Sequence, residues 1–453
     1  MRKIKFLILW SILFLGVGYW IVVSSCGASQ SSSTSTTPTT TSVTITTILH
    51  NWISNQDALL QVNVAKPAVG STYTDSVFGA AITRLTDALS EGKPGIIPIY
   101  SKRQAWNCDD SLLMLQSGNG EPLLYNGTTG QFVKALDSSV VGGEDIFWHP
   151  TDPSLIYYIL DNVLYSYDVN TLQRTTLHTF SGYTFVGTLG EGNLSRDGRY
   201  CAMVGRTYNK STQVTTVKDF LVYDIVGDQI IAKESFPAAP EPFDWISISP
   251  DGNYVILDYA DETIGRYHGV EVYDRNLNFL WQKPLGSGHS DIGVDANGDQ
   301  VLIMGVYDSA TNTNYLKKYK LADGTETILL QFNVDFDFHI SCRNVSRPGW
   351  CFISTFDYIG RLSDKADNSS LDWLPFEDEV FALKMDGSGA VERYAHHHSR
   401  RFSPSTPDSD HSNYWAEPHA TVSRQANRIL FGSNWRQNVA AESSVDTYLI
   451  DLR

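Results

Sequence analysis

Three histidines far apart in the chain stand at matching points of a repeating pattern. His289 (in GHSD), His339 (in FHISCRN) and His419 (in EPHA) each lie four to seven residues before the residue that opens a tight turn. Seven of the chain's 11 histidines fall between residues 289 and 419. Carboxylates accompany them: Asp291 follows His289 by two residues, and Glu417 precedes His419 by two. Imidazoles gathered from several strands, with a carboxylate among them, suit one divalent metal ion, with Mn, Ca and Zn as candidates. A neutral imidazole serves equally as a general base, and Arg343 or Arg347 can neutralise a substrate carboxylate. The expected proton-transfer set is therefore His289, His339 and Arg343. The expected metal ligands are His289, His397, Glu417 and His419. His397 is chosen from the run His396-His397-His398, in which only one or two side chains can face the same way. His411 follows in a long loop. A single strand-start histidine is more often a hydrogen-bonded scaffold residue. Three at equivalent positions of consecutive units favour a shared site, because charged and polar groups converging on one opening cost desolvation unless something binds there.

Aromatic rings supply a second signal. The chain carries 11 Trp, 23 Tyr and 20 Phe, more than the packing of short strands needs. Flat rings beside polar groups suit stacking on sugar faces. Trp245, Trp415 and Trp435, with Arg103 and Arg347, are the expected substrate contacts. The competing roles are packing between sheets for each Trp, and inter-sheet hydrogen bonding for Arg103 and Gln104. The segments 357–378 and 399–416 are long and polar, and long loops in a compact fold are usually functional or disordered.

These residues must be positioned by a repeat. A polar or proline anchor recurs seven times, at Asn107, Pro150, Ser195, Ser249, Asp295, Ser346 and Ser423. A turn pair follows each, such as Asp197-Gly198, Asp251-Gly252 and Asn297-Gly298, of residue types that fit tight-turn backbone angles. Short apolar strands come next, such as Tyr200–Val204, Tyr254–Leu257 and Val301–Met304. A later strand in every unit, such as Leu221–Asp224 or Val270–Asp274, keeps step. The first six units carry a fourth strand, and the seventh reaches the chain end without one. A repeat of this length with several short strands predicts propeller blades. The expected fold is all-β: a seven-bladed β-propeller of four-stranded antiparallel blades. Phe78–Thr86 (FGAAITRLT) is the candidate for the missing last strand, because a closed ring must satisfy the backbone groups of its final blade.

Residues 1–26 read as a lipoprotein signal peptide. Arg2, Lys3 and Lys5 precede an 18-residue apolar run, Phe6 to Val23, and then Cys26. The small residues before Cys26 resemble a bacterial lipobox, which implies acylation of its thiol; an uncleaved membrane anchor is the alternative. Either places the remainder outside the cytoplasm, on the periplasmic or cell-surface side. Gly27 after the cysteine resembles an outer-membrane sorting context for a Gram-negative host. Residues 27–47, rich in Ser and Thr, read as a disordered tether. Residues 48–77 read as a wrapping segment and 78–453 as the propeller. The membrane is expected to be met through the lipid anchor only, and the propeller to be a monomer. A net charge of −16 argues against nucleic-acid binding. Cys342 and Cys351 flank one hairpin turn and could pair in an oxidising compartment.

The stretches SRDGRYCAMV and SPDGNYVILD resemble the repeats of TolB-like and oligogalacturonate-lyase-like propellers. The resemblance spans most of 78–453. It implies a metal-binding histidine cluster and a catalytic histidine or tyrosine at the channel mouth. The lyases' last unit carries two closely spaced histidines after a glutamine; the matching stretch here is AEPHATVS, with one histidine and a glutamate. The reading that follows is a lipid-anchored propeller that binds an acidic polysaccharide or oligosaccharide at the channel mouth. If it is an enzyme, metal-assisted β-elimination is the natural reaction. A non-catalytic protein-interaction scaffold and a hydrolase on the same frame are the alternatives.

Overall fold

The computed structural model describes residues 51–453, except 94, 138–144, 238–243, 260, 286–288, 333, 335, 358–372, 402–413 and 436–444. Cys26 and the expected tether therefore lie outside the described residues, as do most of segment 357–378 and His411. Seven antiparallel sheets follow one another along the chain, six of four strands and one of five. Consecutive strands pair, so each sheet is a meander, and the sheets stand as the blades of a seven-bladed propeller. The turn pairs do their expected work. Ser195 and Ser249 each accept the amide of Gly198 and Gly252 on their carbonyls at 2.8 Å, closing turns whose glycines have positive φ.

The core lies between blades. Successive residues of one strand point to opposite neighbours. In blade six, strand Trp350–Asp357 sends Cys351 and Ile353 toward Val301, Ile303 and Leu316 of blade five. The same strand sends Phe352 toward Val422, Ile429 and Tyr448 of blade seven. Every blade is thus apolar on both faces, which explains the near-continuous apolar runs of the second and third strands.

The ring closes as expected. Ala81–Arg84 pairs antiparallel with the C-terminal strand Asp446–Asp451, from Ala81 opposite Asp451 to Arg84 opposite Tyr448. A further strand, Thr72–Thr74, pairs outside it and makes the seventh blade five-stranded. Asp446 anchors this seam. Its buried carboxylate meets Lys66 Nζ at 2.7 Å and Arg84 Nη2 at 3.0 Å, and accepts the Ala88 amide at 2.8 Å. Residues 53–64 then cross blades six and seven. Arg393 donates to the carbonyls of Asn55 and Asp57 at 3.1 and 2.8 Å, and Trp435 Nε1 donates to Val64 O at 2.9 Å. Cys342 and Cys351 form a disulfide, while Cys108 and Cys201 are free.

Asp446→Asn should remove the buried carboxylate that Lys66 and Arg84 share, leaving Arg84 with the partly exposed Asp87 at 3.1 Å. Breaking one side of a buried ion pair costs about 3–5 kcal/mol, and chemical denaturation of the variant should show a loss of that order. A loss under about 1 kcal/mol would mean the seam does not depend on this carboxylate.

Candidate active site

Two of the innermost strands are broken, and the breaks fill the channel. In blade one, Ile96–Ile97 ends early and pairing resumes only at the bridge Trp106–Leu113. In blade three, Phe185–Gly187 ends and resumes at Leu194–Cys201. The inserted residues bring Tyr100, Lys102, Arg103 and Glu191 inward. Gly192 is required in the second insertion: a Cβ there would lie 1.9 Å from Ile246 O. Lys102 Nζ bonds the Glu191 carboxylate and sits 4.3 Å above the Trp245 ring.

Blades five, six and seven supply the imidazoles. His289 immediately precedes innermost strand Ser290–Val294, His339 lies within Phe336–Ser341, and Glu417 and His419 precede Thr421–Val422. Circular order makes these strands neighbours. The His339 ring lies 4.3 Å from that of His289 and 4.2 Å from that of His419, and is stacked on Phe356 at 5.0 Å. Tyr100 closes over His339 and His419 at 5.6 and 5.5 Å, and Tyr414 meets His419 edge-on at 5.1 Å.

The donors fit a divalent ion. One ligand atom each from His289, His339 and Glu417 fall within 4.8 Å of one another. Glu417 Oε2 lies 3.6 Å from His339 Nε2 and 3.8 Å from His419 Nε2. Both distances are too long for hydrogen bonds. They are close to the edges of a coordination polyhedron with ~2.1 Å bonds, about 3.0–3.5 Å. Both ring nitrogens of His339 and Nε2 of His419 are buried without a hydrogen-bond partner among the described residues. Orphaned buried imidazole nitrogens are costly, and a metal would satisfy one on each ring. Two further contacts set the geometry. His419 Nδ1 is bound to Glu417 O at 2.9 Å, which leaves Nε2 for a ligand. Its φ is 43°, an uncommon conformation for a non-glycine residue and a strain held at the site.

Electrostatics separate the histidines. Burial, followed by the nearby His419 and His289, pushes His339 well below the ordinary imidazole range. Burial and then His289 lower His419 to about 3. Both are held neutral, the state in which histidine binds metal. His289 differs. Burial would lower it, but Asp337, whose Oδ1 lies 3.1 Å from its Nδ1, raises it above the ordinary value. Burial raises Glu417 to about 7, against the pull of Arg401, whose Nε is 3.0 Å from Oε1.

Four of the expected residues thus meet: His289, His339, Glu417 and His419. The others are placed differently. The ring nitrogens of His397 are engaged elsewhere, Nε2 with Thr355 O at 2.8 Å and Nδ1 accepting Ser399 N–H at 3.0 Å, so it is scaffold and not a ligand. His396 meets Leu59 O at 3.1 Å, and His398 stacks on Trp435 at 4.4 Å. Trp435 is itself buried between His398 and Tyr448, so it offers no face to a sugar. Trp245 is buried beneath Lys102. Arg347 is clamped to Glu392 at 2.7 and 2.6 Å and lies over Trp350, away from the channel histidines. Arg103 is buried and donates to Gly190 O and Gly192 O, bracing the broken strand of blade three. Arg343 is chelated by Asp291 at 3.0 and 2.7 Å. Trp415 packs beside Ile97, Ala416 and Val445.

Several site residues were not foreseen: Asp337, Tyr100, Lys102, Phe356, Arg401 and Tyr414. Asp337 had a signal, since it precedes His339 by two and shares its strand face. Tyr100 and Lys102 had none, because their strand is interrupted where the repeat is weakest.

No family model matches the chain, and no curated protein matches it. Among solved structures, it is similar to an oligogalacturonate lyase in complex with manganese, with a TM-score of 0.57 and 14% identity over 84% of this chain and 96% of that one. An oligogalacturonate lyase from Vibrio parahaemolyticus is similar to the same degree, with a TM-score of 0.57, 14% identity and the same coverage. Likeness at this identity shows the seven-bladed fold.

Elemental analysis of the purified chain should find about one equivalent of a divalent ion. Glu417→Gln and His419→Ala should each lower that content at least about tenfold, while His397→Gln should leave it unchanged. Equal loss in all three variants would undo the assignment of ligands.

Proposed function

We propose that this propeller binds and cleaves an acidic polysaccharide or oligosaccharide by β-elimination at the His289–His339–His419 mouth. The observation that carries the reading is the division of labour within one cluster. Two imidazoles are kept neutral beside a carboxylate, and a third is oriented by its own carboxylate. Likeness to an oligogalacturonate lyase that binds manganese supports the same class of substrate and metal.

His339, His419 and Glu417 would hold the ion. When bound, it supplies positive charge that stabilises a uronate carboxylate as the neighbouring carbon loses its proton. His289 is the group placed to take that proton. With Asp337 accepting Nδ1–H, Nε2 is left as the basic nitrogen. The C–H electron pair becomes the new double bond and the glycosidic C–O bond breaks. The imidazolium can then return its proton to the leaving oxygen. Lys102 and Arg401 add fixed positive charge around the site, and His339 feels both. Tyr414, half-exposed beside His419, offers the sugar a ring that Trp415 and Trp435 do not.

A chain with the leader read above would be tethered by acylated Cys26 on the periplasmic or cell-surface side. The buried disulfide accords with an oxidising compartment. Cys26→Ser should move the protein from the membrane fraction to the soluble fraction; unchanged membrane association would favour the uncleaved anchor.

The enzymatic reading is tested by absorbance of unsaturated uronate products over a panel of acidic glycans. His289→Ala should lower turnover by about 100-fold or more. Asp337→Asn should lower the pKa of His289, since Asp337 is what raises it. The rising limb of kcat/KM should therefore move to lower pH, with kcat reduced. A metal-loaded protein that releases no unsaturated product from any glycan, yet retains a protein partner, would replace the lyase by a scaffold.

A further inference from the structure

The opposite end of the channel carries a second set of charged groups. Arg343 lies two residues past the end of Phe336–Ser341, the innermost strand that carries His339, and so beyond that strand's C-terminal end. The turns that follow the innermost strands gather there around a pocket of about 100 Å³. Its lining contains Arg103, Arg196, Arg343 and Arg424, and among the described lining residues there is no aspartate or glutamate. In a chain of net charge −16, four arginines on one small pocket are a local reversal of sign.

Two of the four are spent on scaffold. Arg103 is paired with Asp145 and the blade-three carbonyls, and Arg343 with Asp291. The guanidiniums of Arg196 and Arg424 have no hydrogen bond or ion pair among the described residues, although both are partly buried. Burial lowers the pKa of Arg196 from its ordinary value, though the group stays charged. Asp251 offsets this in part, and Arg343 and Arg424 act against it as like charges. Unpaired cations are not brought together in this way without cost unless an anion joins them.

The pocket is also rigid before anything enters. Gln104 reaches from blade one to Arg343 O at 3.3 Å and Val422 O at 3.2 Å, tying three blades at the pocket rim. Asp291 accepts the Cys342 amide at 2.7 Å, and the Cys342–Cys351 disulfide fixes the backbone that carries Arg343. Lys102 is paired with Glu191 and Arg343 with Asp291, so these four charges are balanced locally. None of His289, His339, Glu417 and His419 lines this pocket, so the two are separate sites.

We propose that the pocket bounded by Arg196, Arg343 and Arg424 binds a small oxyanion, a phosphate or a carboxylate group, independently of the histidine site. Arginine donors in a fixed fork recognise either anion. The recess accommodates such a group with a few waters and excludes a folded partner.

Calorimetric titration of the intact, detergent-solubilised chain at fixed ionic strength tests this, with inorganic phosphate and acetate as probes. Saturable one-to-one binding of either is expected. A preference for phosphate assigns the pocket to tetrahedral anions, and equal or tighter acetate binding assigns it to carboxylates. Arg196→Gln and Arg424→Gln should each weaken binding about tenfold or more, while Glu417→Gln, which breaks the other site, should leave it unchanged. In anion-free buffer the two arginine variants should unfold at the same or a higher temperature than the parent, because a like charge is removed. The proposal is overturned by the absence of saturable binding, by full binding in both arginine variants, by loss of binding in Glu417→Gln, or by a lowered unfolding temperature of both arginine variants.

Discussion

Closure of the ring is the constraint on which everything else rests. Six blades finish themselves locally, but the seventh borrows Ala81–Arg84 from the other end of the chain. Without that strand the C-terminal strand would expose a hydrogen-bonding edge, and blade seven would lose part of its outer packing. Blade seven carries Glu417 and His419, so the site is complete only when both ends of the chain have met. The buried carboxylate of Asp446, holding Lys66 and Arg84, is the polar lock on this joint.

Closure also decides the charge of the channel. Groups that start successive innermost strands are forced onto one axis, where water is scarce and each charge acts on the others. The same mechanism gives opposite results at the two ends. One end holds neutral imidazoles with a carboxylate and a histidine–aspartate pair. The other holds arginines in excess over their partners. The pairs Lys102–Glu191 and Arg343–Asp291 each neutralise themselves, which limits the net charge that the channel carries.

The fold was legible because propeller blades are written locally. Turn pairs such as Asp251-Gly252 and the strand after them need no distant information to recognise. The meeting of His289, His339 and His419 followed from matching positions on adjacent blades once the ring was inferred. What stayed hidden depends on departures from the repeat or on pairing across the chain. His397 looked like a ligand because nothing in the sequence shows that Thr355 O and Ser399 N occupy its two nitrogens. Trp435 looked exposed because the segment that covers it, near Val64, lies 371 residues away. Arg347 and Arg343 looked free because their partners, Glu392 and Asp291, sit on other strands. Ionic partners chosen in three dimensions leave little trace in spacing.

The two interrupted innermost strands have a consequence for how such a site can diversify. Tyr100, Lys102 and Glu191 hang from segments that contribute few ladder hydrogen bonds, so their identities and even their number are uncoupled from strand register. Exchange or lengthening of these inserts would reshape the cavity while leaving all seven sheets undisturbed. The architecture thus separates a conserved-geometry frame from a replaceable lining, and recognition of a new ligand could arise by altering two short peptides.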